Sequence, residues 1–383
     1  MKIRTLVSIL ILILALLIIT GAPTTASDNE VFLQAVKSSD VAEVKRLIEA
    51  GADVNARDNN RVTALIWASI IGNIEIAELL VEGGADVNTW DNKGSTALIL
   101  ASGFGHRDIV NMLIGEGADV NAKTNEGYTA LMFALNKGRT DIAMLLIEAG
   151  ADINAQDENG ITALMVASRK GNKEAAQLLI EARADVNAQN KEGWTALMDA
   201  SKEGYTEIAI LLIKAGADVN AQNNNGYTIL MIASQWGRTE IAKLLIKAGV
   251  DTNAKLNDGY TALILATEYG RFDVIKLFID EGADVNTRTE KSNTVLIVAV
   301  QFGHPDVAKL LIEAGADVNA RNIGEETALI FASGKGFSDI ANLLLEAGAD
   351  VNAQTVNGDT ALMLAEKNGN KEIAKLLKEA GAK

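Results

Sequence analysis

The side chains best suited to chemistry in this chain are two histidines, His106 and His304, and a series of aspartates that begins Asp53, Asp86, Asp119. Each histidine follows a glycine, has no second histidine near it in the pattern, and stands in a chain without cysteine. A nucleophile with its activating base therefore cannot be assembled from them. The aspartates are each followed by one residue and an asparagine, which is unlike the dense alternation of oxygen ligands in a calcium loop. Asp157, Glu158, Asn159 and Gly160 come nearest to such a loop, yet this composition is ordinary turn chemistry. The residues point to no catalytic group, no cofactor and no metal, so the chain reads as a non-enzyme.

The aspartates recur because everything around them recurs. Gly-Ala-Asp-Val-Asn starts at Gly51, Gly84, Gly117, Gly216, Gly282, Gly315 and Gly348, with variants at Gly150, Arg183 and Gly249. Ten copies at a constant 33-residue spacing describe a stack of one small unit rather than two or three globular domains. In the unit that begins at Ala221, Asn223 to Gly226 is a turn and Thr228 stands where a helix N-cap belongs. Leu230, Met231 and Ala233 then pack one face of a short helix that Gly237 ends in a left-handed conformation. A second helix is expected from Thr239 to Lys247, burying Ile241, Ala242, Leu244 and Leu245. Helices this short are marginal alone, so stability has to come from stacking, with polar units at both ends. Residues 28–55 are expected to form the first cap, with helices over Val31 to Lys37 and Val41 to Ala50. Nine full repeats then occupy 56–352, and 353–383 form the last cap.

These residues resemble the ankyrin repeat, and the resemblance spans Asp28 to Lys383. It implies an all-α solenoid of paired antiparallel helices joined by β-turn or hairpin loops. It also implies a structural role for the two histidines, which fall where the family commonly has one. Two departures are systematic. The family's proline before the first helix is alanine in eight units, as at Ala64, Ala97 and Ala361, and Ile229 or Val295 in the other two. Its histidine near the start of that helix is isoleucine or methionine, as at Ile66, Met132, Met198 and Ile330, so apolar packing is expected to replace hydrogen bonding between units. The turn glycine two residues before the threonine is replaced at Arg61, Ser292 and Glu325, although Gly324 lies one place from the last, and local irregularity is expected in the loops near Arg61, Ser292 and Gly324, without loss of the helices.

The resemblance further implies a concave surface, lined by turn tips and first helices, on which a protein partner is held. Its positions are the residue before the threonine, the residue four after it, and the pair before the mid-unit glycine. Tyr128, Trp194, Tyr227 and Tyr260 fill the first; Trp67, Phe133 and Phe331 the second; Phe104, Trp236, Tyr269 and Phe302 the third. The chain has only four Trp, five Tyr and eight Phe, so these eleven are a concentration, densest from Trp194 to Phe302. Exposed Trp and Tyr are suited to binding hot spots, although they could instead stack on one another and stiffen the surface. Asp199 is the one charge among the residues four after the threonine. Its carboxylate could meet a partner's Lys or Arg, or bond Lys202 across one helical turn.

Charge narrows the partners. With 35 basic and 50 acidic residues the formal net charge is −15, which opposes binding to nucleic acid and favours a neutral or basic protein. At the N-terminus, Lys2 and Arg4 precede an apolar run from Leu6 to Ile19 and the small residues Gly21 to Ala26. This is the layout of a signal peptide cleaved after Ala26, which would export the protein to the periplasm or the outside of a bacterial cell. An uncleaved anchor through residues 6–19 is the alternative, with the array serving as a membrane-tethered spacer or stabiliser; that run would reach only about 21 Å of a hydrocarbon core of about 30 Å. The Thr-Ala-Leu-Met variant of the repeat also looks bacterial.

Overall fold

The computed structural model describes residues 26–383. The segment read as a signal peptide or anchor lies, but for its last residue, outside the described residues. Among the described residues there are twenty-two helices of seven to twelve residues and no strand longer than an isolated bridge. They divide into two units, one running to Asp185 and the other from Val186 to Lys383.

The first unit opens with Ala26–Lys37 and Val41–Glu49, close to the two helices expected of the first cap. Four more pairs follow: Ala64–Ile71 with Ile74–Glu82, Ala97–Phe104 with Arg107–Gly115, Ala130–Asn136 with Thr140–Glu148, and Ala163–Lys170 with Lys173–Glu181. The second unit holds six pairs, from Ala196–Glu203 with Thr206–Lys214 to Ala361–Lys367 with Lys371–Glu379. The helix expected from Thr239 to Lys247 has those bounds.

The reasons for these boundaries repeat. Thr63 adopts extended backbone and its hydroxyl accepts the Ile66 N–H at 3.3 Å; Thr228 does the same for Met231 at 3.2 Å. Gly72 ends its helix at φ 88°, and Gly237 follows the C-cap Trp236 at φ 67°. At Gly72 a side chain is excluded twice over, since an added Cβ would collide with the His106 ring.

Burial of the first helices exceeds the single face expected. Ile229 through Ser234 are all buried, because the helix is covered by its own second helix and by neighbouring first helices on both sides. Ile66 and Met132, standing where the family has histidine, are within 1% of full burial, and apolar packing does replace a hydrogen bond there. In the second helix Ile241, Ala242 and Leu245 are buried, whereas Leu244 lies at the margin of the stripe and stays half-exposed. Hydrogen bonding between repeats has moved to the loops. Asp53 Oδ1 accepts the Asn55 N–H at 2.9 Å, and Asn55 Oδ1 accepts the Asp86 N–H of the next repeat at 2.8 Å. The recurrent aspartate is thus a turn residue and the asparagine a rung of a ladder.

The irregular loops expected at Arg61, Ser292 and Glu325 do not occur. Those residues adopt φ of 63°, 59° and 55°, the left-handed conformation that glycine takes in the other repeats. The antiparallel bridges Arg57–Thr63 and Arg288–Thr294 close as usual around the first two. Loop hydrogen bonds hold the shape: Asp58 Oδ1 accepts the N–H groups of Asn60 and Val62, and Asn322 Oδ1 accepts those of Gly324 and Glu326. A non-glycine residue in this region costs about 1–2 kcal/mol, which these loops absorb rather than rearrange.

Candidate functional site

The expected site residues fall in both units. Phe104 and Tyr128 belong to the first; Trp194, Asp199, Tyr227, Trp236, Tyr260, Tyr269 and Phe302 belong to the second. Within each unit their backbone is set by the repeat. A residue before the threonine ends the turn, its N–H held by a side chain four residues back: Thr124 Oγ1 for Tyr128, Asn190 Oδ1 for Trp194 and Asn223 Oδ1 for Tyr227, at 2.8 to 3.1 Å. Leu256 fills that place before Tyr260 and has no acceptor, so the Tyr260 N–H bonds Asp258 Oδ1 instead, at 3.2 Å. Residues before the mid-unit glycine sit at the ends of first helices, where packing stops. Phe104, Trp236, Tyr269 and Phe302 are accordingly 51%, 44%, 43% and 45% exposed.

In the first unit Phe104 stacks on His106 with ring centroids 6.3 Å apart, and Tyr128 meets Phe133 edge to face at 5.7 Å. Burial raises the Tyr128 hydroxyl above its ordinary pKa, helped by the charge of Asp157. In the second unit the Lys202 ammonium lies 5.8 Å from the Trp194 ring and 5.3 Å from the Trp236 ring. Such an approach to two ring faces is a cation–π arrangement. Asp199 is 4% exposed and already engaged within the chain, so it presents little to a partner.

Tyr227, Tyr260 and Tyr269 form a second cluster with Asp258 and Glu268. Burial pushes Tyr260 up to about 12, and the charges of Glu268 and Asp258 and its hydroxyl bond to Glu268 add to the shift. Tyr227 is raised by burial and then by Tyr269, Asp258 and Glu268. Glu268 is itself held above the usual carboxylate range, by burial and by repulsion from Asp258, against the bond from Tyr260. The cluster is a partly desolvated group of rings and carboxylates.

Sequence reasoning did not find the partners of the tryptophans. Lys37 lies 4.6 Å from the Trp67 ring, and Asp58 accepts the Trp67 indole N–H at 3.2 Å while standing 3.7 Å from the Lys37 ammonium. Trp90, outside the three expected positions, is 50% exposed with Arg61 5.8 Å from its ring. All four tryptophans therefore have a basic side chain of the chain itself against a ring face. The register held the signal, because Lys37 and Lys202 occupy the same place in the repeat.

The histidines are structural. His106 Nε2–H donates to the Ile70 carbonyl at 3.0 Å and His304 Nε2–H to that of Glu268 at 2.9 Å. Arg238 and Arg271 use Nε in the same way on Lys202 and Gln235, both at 2.9 Å. Each donor satisfies a carbonyl at the end of the preceding repeat's first helix. Among the described residues no group of three His, Cys, Asp or Glu is placed to hold a metal, and no helix is long and apolar enough to cross a membrane.

The model of a family described as ankyrin repeats in three copies matches residues 32–124, 111–190, 182–256, 250–322 and 296–383. No curated protein matches the chain. With the first helix of every pair from Ala64 on capped by a threonine and followed by a left-handed glycine at a 33-residue spacing, and with those matches covering nearly its whole length, the chain belongs to the ankyrin-repeat family.

Proposed function

We propose that the protein is an exported, non-catalytic scaffold that holds a protein partner on the surface made by its loop tips and first helices, chiefly between Trp194 and Phe302. Ankyrin repeats imply a protein–protein interaction scaffold, and the family is typically non-catalytic. One observation carries the narrower placement: Trp236, Tyr269 and Phe302, one in each of three consecutive repeats, are each more than two-fifths exposed at the same register. Large rings left open at this spacing offer much area at low entropic cost, as binding hot spots do. The net charge of −15 supports a neutral or basic partner and disfavours nucleic acid. Asp199 drops out of the contact set because it is buried.

Export rests on the basic, apolar and small-residue order of residues 1–26. The mature chain would begin with the cap at 28–55, followed by nine full repeats over 56–352 and a last cap at 353–383. The test is capture of the partner from the native compartment by the wild-type chain and by a Trp194→Ala, Trp236→Ala double variant. Capture weakened several-fold with helicity intact is expected; undiminished capture places the contact elsewhere. N-terminal sequencing of the mature protein decides export, since a chain that still begins at Met1 supports the anchored spacer instead.

A further inference from the structure

One cavity in the first unit is lined by residues of the register expected to meet a partner. It measures about 250 Å³ and lies between the helices Ala130–Asn136 and Ala163–Lys170 and the turns that precede them. Ile161 and Val166 line it from below and are buried, Tyr128 and Phe133 form a half-buried wall, and Glu126 and Lys170 stand exposed at its rim. The wall is fixed in place. Tyr128 and Phe133 meet edge to face at 5.7 Å, and behind Phe133 stands Gly103, where an added Cβ would come within 3.0 Å of the ring. The Tyr128 N–H is bonded to Thr124 Oγ1 at 3.1 Å and the Ile161 N–H to Asp157 Oδ1 at 2.8 Å, while the Glu158 N–H joins the two turns through the Glu126 carbonyl at 2.9 Å. A cavity built in this way needs little ordering on binding.

Size and lining select the occupant. An apolar cavity of about 150 Å³ is enough to hold a benzene ring, so this one admits a single aromatic side chain. The two rings of the wall favour an aromatic group over an aliphatic one, because ring pairs gain beyond the area they bury. The rim adds direction. Lys170 lies in the last turn of its helix and Glu126 in the opposite turn, and among the described residues neither has an ion pair, whereas Arg169 beside Lys170 is already engaged within the chain. A segment with an acid toward the helix end and a base toward the turn meets the opposite charge at both.

We infer that this cavity takes an aromatic side chain from a protein partner, in a segment that places a basic residue at Glu126 on one side of the ring and an acidic residue at Lys170 on the other. The inference rests on the scaffold reading above for the existence of a protein partner, and it adds a contact in the first unit to the one proposed between Trp194 and Phe302. Such a segment is neutral overall, in keeping with the partner that a net charge of −15 favours.

The probe is the blocked pentapeptide Ala-Lys-Phe-Glu-Ala, titrated into the full chain and followed by the NMR signals of the Tyr128 and Phe133 rings, with Ala-Lys-Ala-Glu-Ala as the control. The phenylalanine peptide is expected to shift both rings, and the alanine peptide is not. Val166→Phe fills the cavity with a residue that stands at the same place of the repeat in Phe133 and Phe331, and is expected to weaken binding about tenfold or more. Phe133→Leu, which puts there the residue found at Leu100 and Leu265, removes one ring of the wall and is expected to cost about threefold to tenfold. Lys170→Gln and Glu126→Gln are expected to cost about twofold each. Equal shifts with the alanine peptide, or binding unmoved by Val166→Phe and Phe133→Leu in chains of unchanged helicity, overturns the inference, as does binding unmoved by both charge substitutions. Loss of native-partner capture in the Trp194→Ala, Trp236→Ala variant together with that negative result leaves the scaffold reading standing and removes only this cavity. Peptide binding as expected, beside capture that survives the double variant and is lost in Val166→Phe, moves the contact to the first unit.

Discussion

The carboxylate at Asp58 in the first unit and the one at Glu268 in the second each lie beside an aromatic residue, and their surroundings drive them in opposite directions. Burial pushes Asp58 up, but N–H bonds from Val62 and Asn60, the Trp67 indole and the Lys37 charge outweigh it and hold it below 3.8. Glu268 receives one hydroxyl bond from Tyr260 and has Asp258 for a neighbour, so burial prevails and it rises above 4.5. What differs is the supply of donors, not the kind of residue. In the first unit a lysine of the chain completes the site; in the second Glu268 has a tyrosine hydroxyl and a second carboxylate for neighbours instead.

The loops differ in the same sense. In the first unit the asparagine ladder is continuous, Asn55, Asn88, Asn121 and Asn154 each accepting the aspartate N–H of the next repeat at 2.7 to 2.8 Å. In the second unit Asn187, Asn286 and Asn319 do the same, at 2.7 to 2.9 Å. Among the described residues the rungs from Asn220 to Asp251 and from Asn253 to Asp284 are not made. Between them lies Gly-Val-Asp-Thr-Asn, where Val250 replaces the near-buried alanine of the other repeats and its N–H reaches the Leu245 carbonyl only at 3.4 Å. The repeat with the loosened loop also carries Leu256 in place of the turn-capping residue, and Tyr260 and Tyr269 follow it.

The largest effect should come from dismantling the completed site. Trp67→Ala removes a half-buried ring, an acceptor's donor and the seat of Lys37, and should cost about 2 kcal/mol, read as a lower urea midpoint. Leu256→Asn should restore the two turn hydrogen bonds that Asn223 makes one repeat earlier and add about 1 kcal/mol. A destabilised Leu256→Asn chain would mean that the leucine packs for a reason of its own. Returning this loop to the Gly-Ala-Asp-Val-Asn of the other repeats, through Val250→Ala with Thr252→Val, should close the two open rungs, slowing amide exchange at Asp251 and Asp284 and adding up to about 1 kcal/mol.

The smallest effect concerns pH. For Glu268, raised in the folded state, the stabilising contribution is complete below 4.5 and is lost as pH climbs through its raised value. For Asp58, lowered, it is complete above 3.8 and is lost as pH falls through its lowered value. Glu268→Gln should therefore raise stability at pH 7 by only about a few tenths of a kcal/mol, because solvent screens a half-exposed carboxylate, and should flatten stability against pH above 4.5. Asp58→Asn should flatten it below 3.8 instead, in unfolding measured across that range. A common response to the two substitutions would erase the contrast between the sites.

Most of the fold was legible because each repeat states it locally. Thr228 for a cap, Gly237 for a stop and a 3.6-residue apolar period for the second helix need only near neighbours in sequence, and the helix from Thr239 to Lys247 follows from them. The loops at Arg61, Ser292 and Glu325 were misjudged because their backbone is held by side-chain acceptors and by the adjoining loops, which outweigh the preference of one residue. The aromatic positions were legible as a register, but their states were not. Whether a ring has a cation against its face depends on a lysine contributed by another repeat, as Lys37 does for Trp67 and Lys202 for Trp236.

By itself, then, the sequence determined the repeat, its length, its caps and stops, and the row on which the aromatics stand. These follow from hydrogen bonds and periodicities that span a few residues. Only the tertiary structure decided that Asp199 is buried and that every tryptophan has a basic partner within the chain. Those outcomes are set by contacts between repeats, where exposure and the distance from charge to ring depend on how one helix pair is stacked on the next.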